Sequence, residues 1–598
     1  ALLTEQTAGT PPERAAAFAH CLRQERRYQK QCEALVAAGG AAPLEYLLHA
    51  LSLTDFQRLC VYLALAVELD GSYERRFTDL QDNRGRLPTL ELCLRCFTPE
   101  PEERAALLGQ WRSQREGLAF FFRTLEQQTE VQGELTLGLK LERRIVDFVL
   151  DYTGSNPALE DRIQLTWPRE SLPPLLLYKD IFAHMMACSG QTDAPLLFYL
   201  QGEAGAGRHT LAQHFCQAIH RPLLMADIAA LLQEPHWETA VRAICREAVI
   251  CNALLGFSGF ELLQQTEETP SVSEDETLMA RATRTEGGTL YLRILLKHAA
   301  RLSPILFLCS TKAWQPGEPC DPYRRVEISL PTPDTDGRIL LWTHALDGLA
   351  LAEDVRPNGL AVKFALTPGQ IAHAAQDAKR LAVWEGTGQL TDDLLHRACR
   401  AQLSHGLGKM ASRVNAAYTW EDLILLPEAK RQLKNACDQV EYRHQVYDKW
   451  GFGKKVAYGR GLSILFTGPP GTGKTMAAQV LASRLQLELY KVDLSGVLSK
   501  YIGETEKQLG AVFDEVKKSQ SILFFDEADA LFGKRSETKD AHDRYANVQT
   551  SYLLQKMEEY DGIVILASNF LQNFDEAFRR RIKFIIEFPL PDQERREQ

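Results

Sequence analysis

The sequence predicts an α/β protein built from two tandem copies of one strand–loop–helix plan behind a mainly helical N-terminal region. Three observations carry that prediction. The apolar run SILFT (residues 463–467) feeds the glycine loop GPPGTGKT (468–475) and then the helix former MAAQVLASRL (476–485). The same order occurs upstream in LLFYLQGEAGAGRHTLAQHFCQAI, with Gly202, Gly205 and Gly207 each 266 residues ahead of Gly468, Gly471 and Gly473. Finally, LEYLLHALSLTDFQRLCVYLALAVELD repeats apolar residues every three or four positions, the period of a helix buried on one face.

In chain order, residues 1–170 form the helical N-terminal domain, for which a small DNA-binding-like, winged-helix-like fold with a protein-docking role and a plain scaffold both fit. The proline-rich stretch TWPRESLPPLLLY ends it, since proline removes a backbone donor and disfavours helix before it. The next module then starts near residue 171. At 598 residues the chain is too long for one core, and roughly 150 residues per domain suggests about four domains. Its net charge of −10 argues against general affinity for a phosphate backbone, so nucleic acid is an unexpected partner. No apolar run approaches a spanning helix, which excludes a membrane role of that kind. The N-terminus carries neither an initiator methionine nor a secretory signal pattern. Thirteen scattered cysteines suit a reducing compartment, and a cytoplasmic location is expected. The one CxxC, Cys93 to Cys96, has no second pair to complete a zinc site.

The chemistry concentrates in the second copy. A glycine loop between strand and helix turns consecutive N–H groups inward, and the helix start adds its positive dipole end, which together cradle phosphate. Lys474 is placed to reach the β- and γ-phosphates and Thr475 to hold Mg²⁺. A chance GxxGxGK[ST] in such a chain has odds of roughly one in a thousand. The apolar strand in SILFFDEAD then ends at Asp526, the candidate Mg²⁺ organiser, and Glu527, the candidate catalytic base. GIVILASN ends another strand at Asn569, able to orient water beside the γ-phosphate, and the arginine run 579–581 suits charge on phosphoryl oxygens.

The first copy is worn at selected places. Arg208 stands for the phosphate lysine, His209 for the metal hydroxyl, Ser258 and Gly259 for the two carboxylates, and Thr311 for Asn569, while Arg324 and Arg325 stand for the arginines. Hydrolysis there is expected to be negligible, and the site either binds nucleotide without turnover or stays empty.

These motifs resemble the AAA+ ATPases, and within them the AAA clade of protein-remodelling hexamers, closely over residues 418–592. The resemblance implies two tandem AAA+ P-loop modules, each a parallel sheet flanked by helices with a helical lid. It divides the chain into 171–340, a degenerate large subdomain; 341–412, its lid; 413–592, an active large subdomain; and 593–598, where a second lid would begin. It implies ATP and Mg²⁺ as cofactors, Walker A over Gly468, Pro469, Pro470, Gly471, Thr472, Gly473, Lys474, Thr475 and Met476, and Walker B at Asp526 and Glu527. It makes Asn569 sensor 1 and Arg580 and Arg581 fingers reaching a neighbouring subunit's nucleotide. Asp422, Leu423 and Ile424 would frame adenine with backbone. Lys500, Tyr501 and Ile502, followed by Gly503, resemble the pore loop whose aromatic grips extended polypeptide.

The whole arrangement looks like the AAA+ ATPases encoded with bacterial contractile injection systems. That implies a homohexamer remodelling protein components or cargo of a phage-tail-like particle, with no membrane partner. Two other readings remain: a nucleic-acid-associated loader or initiator, and an ATP-switched assembly adaptor that does not thread its client.

Overall fold

A computed structural model describes most of residues 42–442, 461–492, 521–528, 552–569 and 579–590, with scattered residues outside these spans and short omissions inside the first, of which 265–277 is the longest. The chain divides into two compact units, residues 1–202 with 207–330, and residues 203–206 with 331–598.

In the first unit a six-stranded sheet has the order β1-β3-β4-β5-β2-β6. Its strands are β1 (Ile163–Thr166), β2 (Leu196–Gly202), β3 (Leu223–Asp227), β4 (Leu254–Ser258), β5 (Ile305–Ser310) and β6 (Arg324–Leu330). All neighbours are parallel except the edge strand β1, which runs antiparallel to β3. The central strands are buried on both faces, which explains why they read as unbroken apolar runs rather than alternating ones. Strand β1 lies ahead of the proline-rich stretch, before the point near residue 171 where the next module was expected to start. That stretch is tied down: Gln217 donates to the carbonyl of Pro168 at 3.0 Å, and a ring nitrogen of His214 lies 2.8 Å from that of Pro173.

The helical N-terminal region shares a core with a helix of this module. Thr54 and Gln57 form a reciprocal capping box that starts the helix Asp55–Leu69. Val249 and Ile250, at the end of the helix Trp237–Ile250, pack into the cluster that holds Leu47, Phe56, Trp111 and Phe122. An ion pair between Arg144 and Glu247 (2.7 Å), both nearly buried, and a hydrogen bond from Arg246 to the Phe120 carbonyl (3.0 Å) fix the joint. Such charges are tolerated inside only because each is paired.

In the second unit, four helices come first: Thr335–Ala345, Pro357–Lys363, Pro368–Glu385 and Asp392–Leu403, packed around Trp342, Leu366 and Leu395. A second six-stranded sheet follows, in the order β12-β8-β11-β10-β9-β7. It comprises β7 (Ala411–Val414), β8 (Leu462–Thr467), β9 (Leu489–Val492), β10 (Ile522–Phe525), β11 (Ile563–Ser568) and β12 (Phe584–Glu587). Here too only the edge strand, β7 against β9, is antiparallel. Strand for strand the order equals that of the first sheet, so the internal repeat extends from three glycines to a whole topology. Neither antiparallel edge strand was expected, and β7 begins at Ala411, inside the span assigned to the lid.

Among the described residues no helix is long and apolar enough to cross a membrane, and the twelve cysteines described are free thiols.

Candidate nucleotide site of the second module

The site is assembled at the C-terminal ends of β8, β10 and β11, where loops leave a parallel sheet and ligands of open α/β folds collect. β8 runs into the glycine loop, and the loop runs into the helix Lys474–Leu485, whose Ala477, Ala478, Leu481 and Leu485 are buried. Gly471 and Gly473 take left-handed φ values of +75° and +96°, which side chains disfavour. No heavy atom lies within 4 Å of a Cβ built at either one, so the concave side of the loop has room. Thr472 closes the turn by donating to the Pro469 carbonyl at 2.8 Å. Pro469 and Pro470 are exposed, Thr475 is half-buried, and Met476 packs on the core beneath.

Lys474 shows what the loop is built to hold. Its Nζ donates to the carbonyls of Gly468 (2.6 Å) and Pro469 (2.9 Å) and to Oδ1 of Asn569 (3.0 Å). Three oxygens thus accept from an ammonium at the mouth of the glycine loop, the acceptor set that phosphate oxygens would replace. The same bond brings together Lys474 and Asn569, two predicted residues 95 positions apart.

β10 is buried throughout and ends at Asp526, whose Oδ1 accepts the N–H of Glu527 at 3.1 Å. Glu527 is exposed and sits at φ +51°, a left-handed conformation that costs a side-chain-bearing residue about 1–2 kcal/mol. The residues present suit a nucleotide with Mg²⁺: a roomy glycine cradle, a lysine, a hydroxyl at the second helical position and a carboxylate at the adjacent strand end. One partner was not foreseen. Lys491 of β9 lies 2.7 Å from Oδ2 of Asp526, and its only sequence signal is a lysine inside the otherwise apolar strand LYKV.

Arg580 and Arg581 lie in an exposed turn before β12. The Arg581 carbonyl accepts from Ser463 (3.0 Å), near the start of β8, while the glycine loop leaves its far end, ~17 Å away at strand rise. The arginines and the loop therefore occupy opposite ends of the sheet. Arg581 also pairs with Glu558 at 2.9 Å. Asp422 caps its own turn, accepting from the N–H and hydroxyl of Thr419 at 2.8 Å, and these bonds hold its carboxyl below the usual range. Leu423 is buried in the core and Ile424 is 41% exposed. Lys500, Tyr501, Ile502 and Gly503 lie outside the described residues.

The first module keeps the frame and loses the groups. Gly205 and Gly207 take φ +79° and +97°, reproducing the later loop. The carboxylate positions hold Ser258 and Gly259, and Gly259 repeats the left-handed turn of Glu527 at φ +74°. Burial and the neighbouring Arg208 hold the His209 imidazole below its ordinary pKa. Within the second unit, Gly369 donates to the carbonyl of Gly205 (2.8 Å) and the Thr367 hydroxyl to that of Ala204 (3.1 Å). The start of the helix Pro368–Glu385 is thereby bonded to residues 204 and 205. The register also corrects the placing of the arginines. Leu196 pairs with Arg324, whereas its counterpart Leu462 falls opposite Ile582 when the β12–β8 pairing is continued, so Arg324 and Arg325 lie within a strand rather than at the finger positions. Arg325 instead stacks over Trp314 at 4.8 Å and pairs with Glu327 at 2.8 Å.

Comparison with known families matches three stretches of the chain. Residues 464–590 match the AAA family, the ATPase family associated with various cellular activities. Residues 3–161 match a variant winged helix domain, and residues 334–405 the contractile injection system ATPase helical domain. The chain thus carries an AAA ATPase domain together with a helical domain of the contractile injection system type. Among individual proteins, it is 30% identical over 190 residues to an ATPase-like fidgetin of Schizosaccharomyces pombe, covering 30% of this chain and 28% of that protein. It is 33% identical over 195 residues to the katanin p60 ATPase-containing subunit A1 of Strongylocentrotus purpuratus, covering 30% and 35%. An uncharacterized AAA family ATPase of Sinorhizobium fredii is 34% identical over 129 residues, 22% of this chain and 39% of that one. The chain spans about a third of the length of such relatives.

Proposed function

We propose that the protein is an ATP-hydrolysing AAA+ motor, hexameric and cytoplasmic, that remodels protein components or cargo of a phage-tail-like contractile injection system. The observation that carries the reading is the contrast between the modules. The second brings Lys474, Asp526, Glu527 and Asn569 to one edge of its sheet, and the first holds the same frame without a lysine or either carboxylate. The helical domain match supports the injection-system setting.

In this reading Lys474 leaves the carbonyls of Gly468 and Pro469 for the β- and γ-phosphates, and the N–H groups of residues 471–474 hold the remaining oxygens. Mg²⁺, when bound through Thr475 and Asp526, supplies neutralisation of phosphate charge. Glu527, held out to solvent by its left-handed turn, takes the proton of the attacking water, which Asn569 orients. Arg580 and Arg581 serve the neighbouring protomer, because they sit at the wrong end of the sheet for their own loop. Asp422, Leu423 and Ile424 frame the adenine with backbone. Tyr501, flanked by Lys500 and Ile502, grips the client. The first module, without a lysine or either carboxylate at the matching positions, supports the ring.

The test is to purify the Glu527→Gln protein with ATP from cells carrying the injection-system components. A hexamer retaining ATP and a co-isolated polypeptide is the expected result. A nucleotide-loaded particle that stays monomeric and brings down no protein would refute the motor reading.

A further inference from the structure

We infer that Lys491 is a positioning residue of the hydrolytic site, its ammonium holding Oδ2 of Asp526 so that the carboxylate is aimed before Mg²⁺ and ATP arrive. The inference rests on the reading of Asp526 as the Mg²⁺-organising group. Three observations support it. The pair is close, at 2.7 Å, and joins neighbouring parallel strands at the edge where the glycine loop also emerges. The side chains are 41% and 28% exposed, where an ion pair adds little to folding, so stability does not account for a lysine in this strand. Lys474 is engaged with Gly468, Pro469 and Asn569, and thus Asp526 draws its cation from β9.

The internal repeat adds a further observation. In the second sheet Phe524 pairs with Lys491, and Asp526 stands two residues on. In the first sheet Gly256 pairs with Met225, and Ser258 stands two residues on. Lysine and carboxylate are therefore present together where the site is intact and lost together where it has decayed. A lysine needed only to solvate the end of β9 would have no reason to vanish with the carboxylate of the adjacent strand.

Groups that orient a metal's carboxylate typically alter metal affinity 10–100-fold when removed. The test titrates Mn²⁺ by its electron paramagnetic resonance signal into ATP complexes of the full chain in the Glu527→Gln background, with and without Lys491→Met. Lys491→Gln serves as a second neutral replacement should the methionine variant fail to fold, and Lys491→Arg as the conservative rescue. The expected result is Mn²⁺ affinity about tenfold weaker in the neutral variants, with ATP affinity measured without metal little changed, and recovery with arginine. Unchanged affinity would overturn the inference, and tighter Mn²⁺ binding would do so too, since it would make the lysine a competitor of the metal. Failure of the parent protein to hold Mn²⁺ with ATP at all would instead strike the ATPase reading beneath it.

Discussion

Glu527, the proposed catalytic base, is held at the expense of local comfort. Its counterpart Gly259 takes the same left-handed turn without a side chain, so the decayed copy has relaxed a strain that the intact copy keeps. Glu527→Gly is accordingly expected to abolish ATP turnover while raising folding stability by about 1 kcal/mol, measured by the denaturant midpoint. Glu527→Gln, which keeps the strain, should abolish turnover with no such gain. A glycine variant less stable than the glutamine variant would show that the turn is unstrained. At this scale the sequence was most legible in the glycine loop and in Asp526 and Glu527, whose chemistry follows from residue type and immediate neighbours. Lys491 was illegible, because its meaning depends on a neighbouring strand 35 residues away.

Among the elements, the helices after residue 334 carry a titratable weak point. His396 of the helix Asp392–Leu403 lies 3.4 Å from Asp392 and packs edge-on against Phe364. Burial, reinforced by Lys363, lowers its pKa from 6.5 to about 4. Above the unfolded value both states hold a neutral ring. As pH falls through 6.5 the unfolded chain binds a proton that the folded chain refuses until about 4, so stability is lost across that window. The hydrogen-exchange protection factors of residues 392–403, that is, exchange corrected for its intrinsic slowing with falling pH, should therefore drop between pH 7 and 5, and His396→Gln should flatten the dependence. The register of β6 belongs to the same scale. Arg324 and Arg325 look like fingers in the one-dimensional order of motifs, but strand pairing places them within β6, where Arg325 does packing work against Trp314.

For the whole molecule, the separation of glycine loop and arginine turn along one sheet makes a prediction about neighbours. Lys474→Ala protein and Arg580→Ala/Arg581→Ala protein should each be inactive, and mixing them should restore ATPase activity, with about a quarter of the interfaces productive if protomers assort at random in a cyclic ring. Absence of any recovery, with mixed assembly confirmed by light scattering, would mean that the arginines do not act across subunits. The joint between the helical N-terminal region and the first module also belongs here. The proline-rich stretch looked like the boundary, but strand β1 precedes it and the Arg144–Glu247 pair crosses the expected division.

By itself, the sequence determined the α/β class, the tandem repeat, the unequal decay of its two copies and the residues of the glycine loop. These are local: glycine conformations, apolar strand runs and charged residues at strand ends are written in consecutive positions. Only the tertiary structure decided the strand order, the antiparallel edges β1 and β7, the union of the N-terminal region with the first module, and the partnership of Lys491 with Asp526. Each of those depends on which segments lie side by side, and lateral pairing between strands far apart in the chain leaves no periodic mark within either strand.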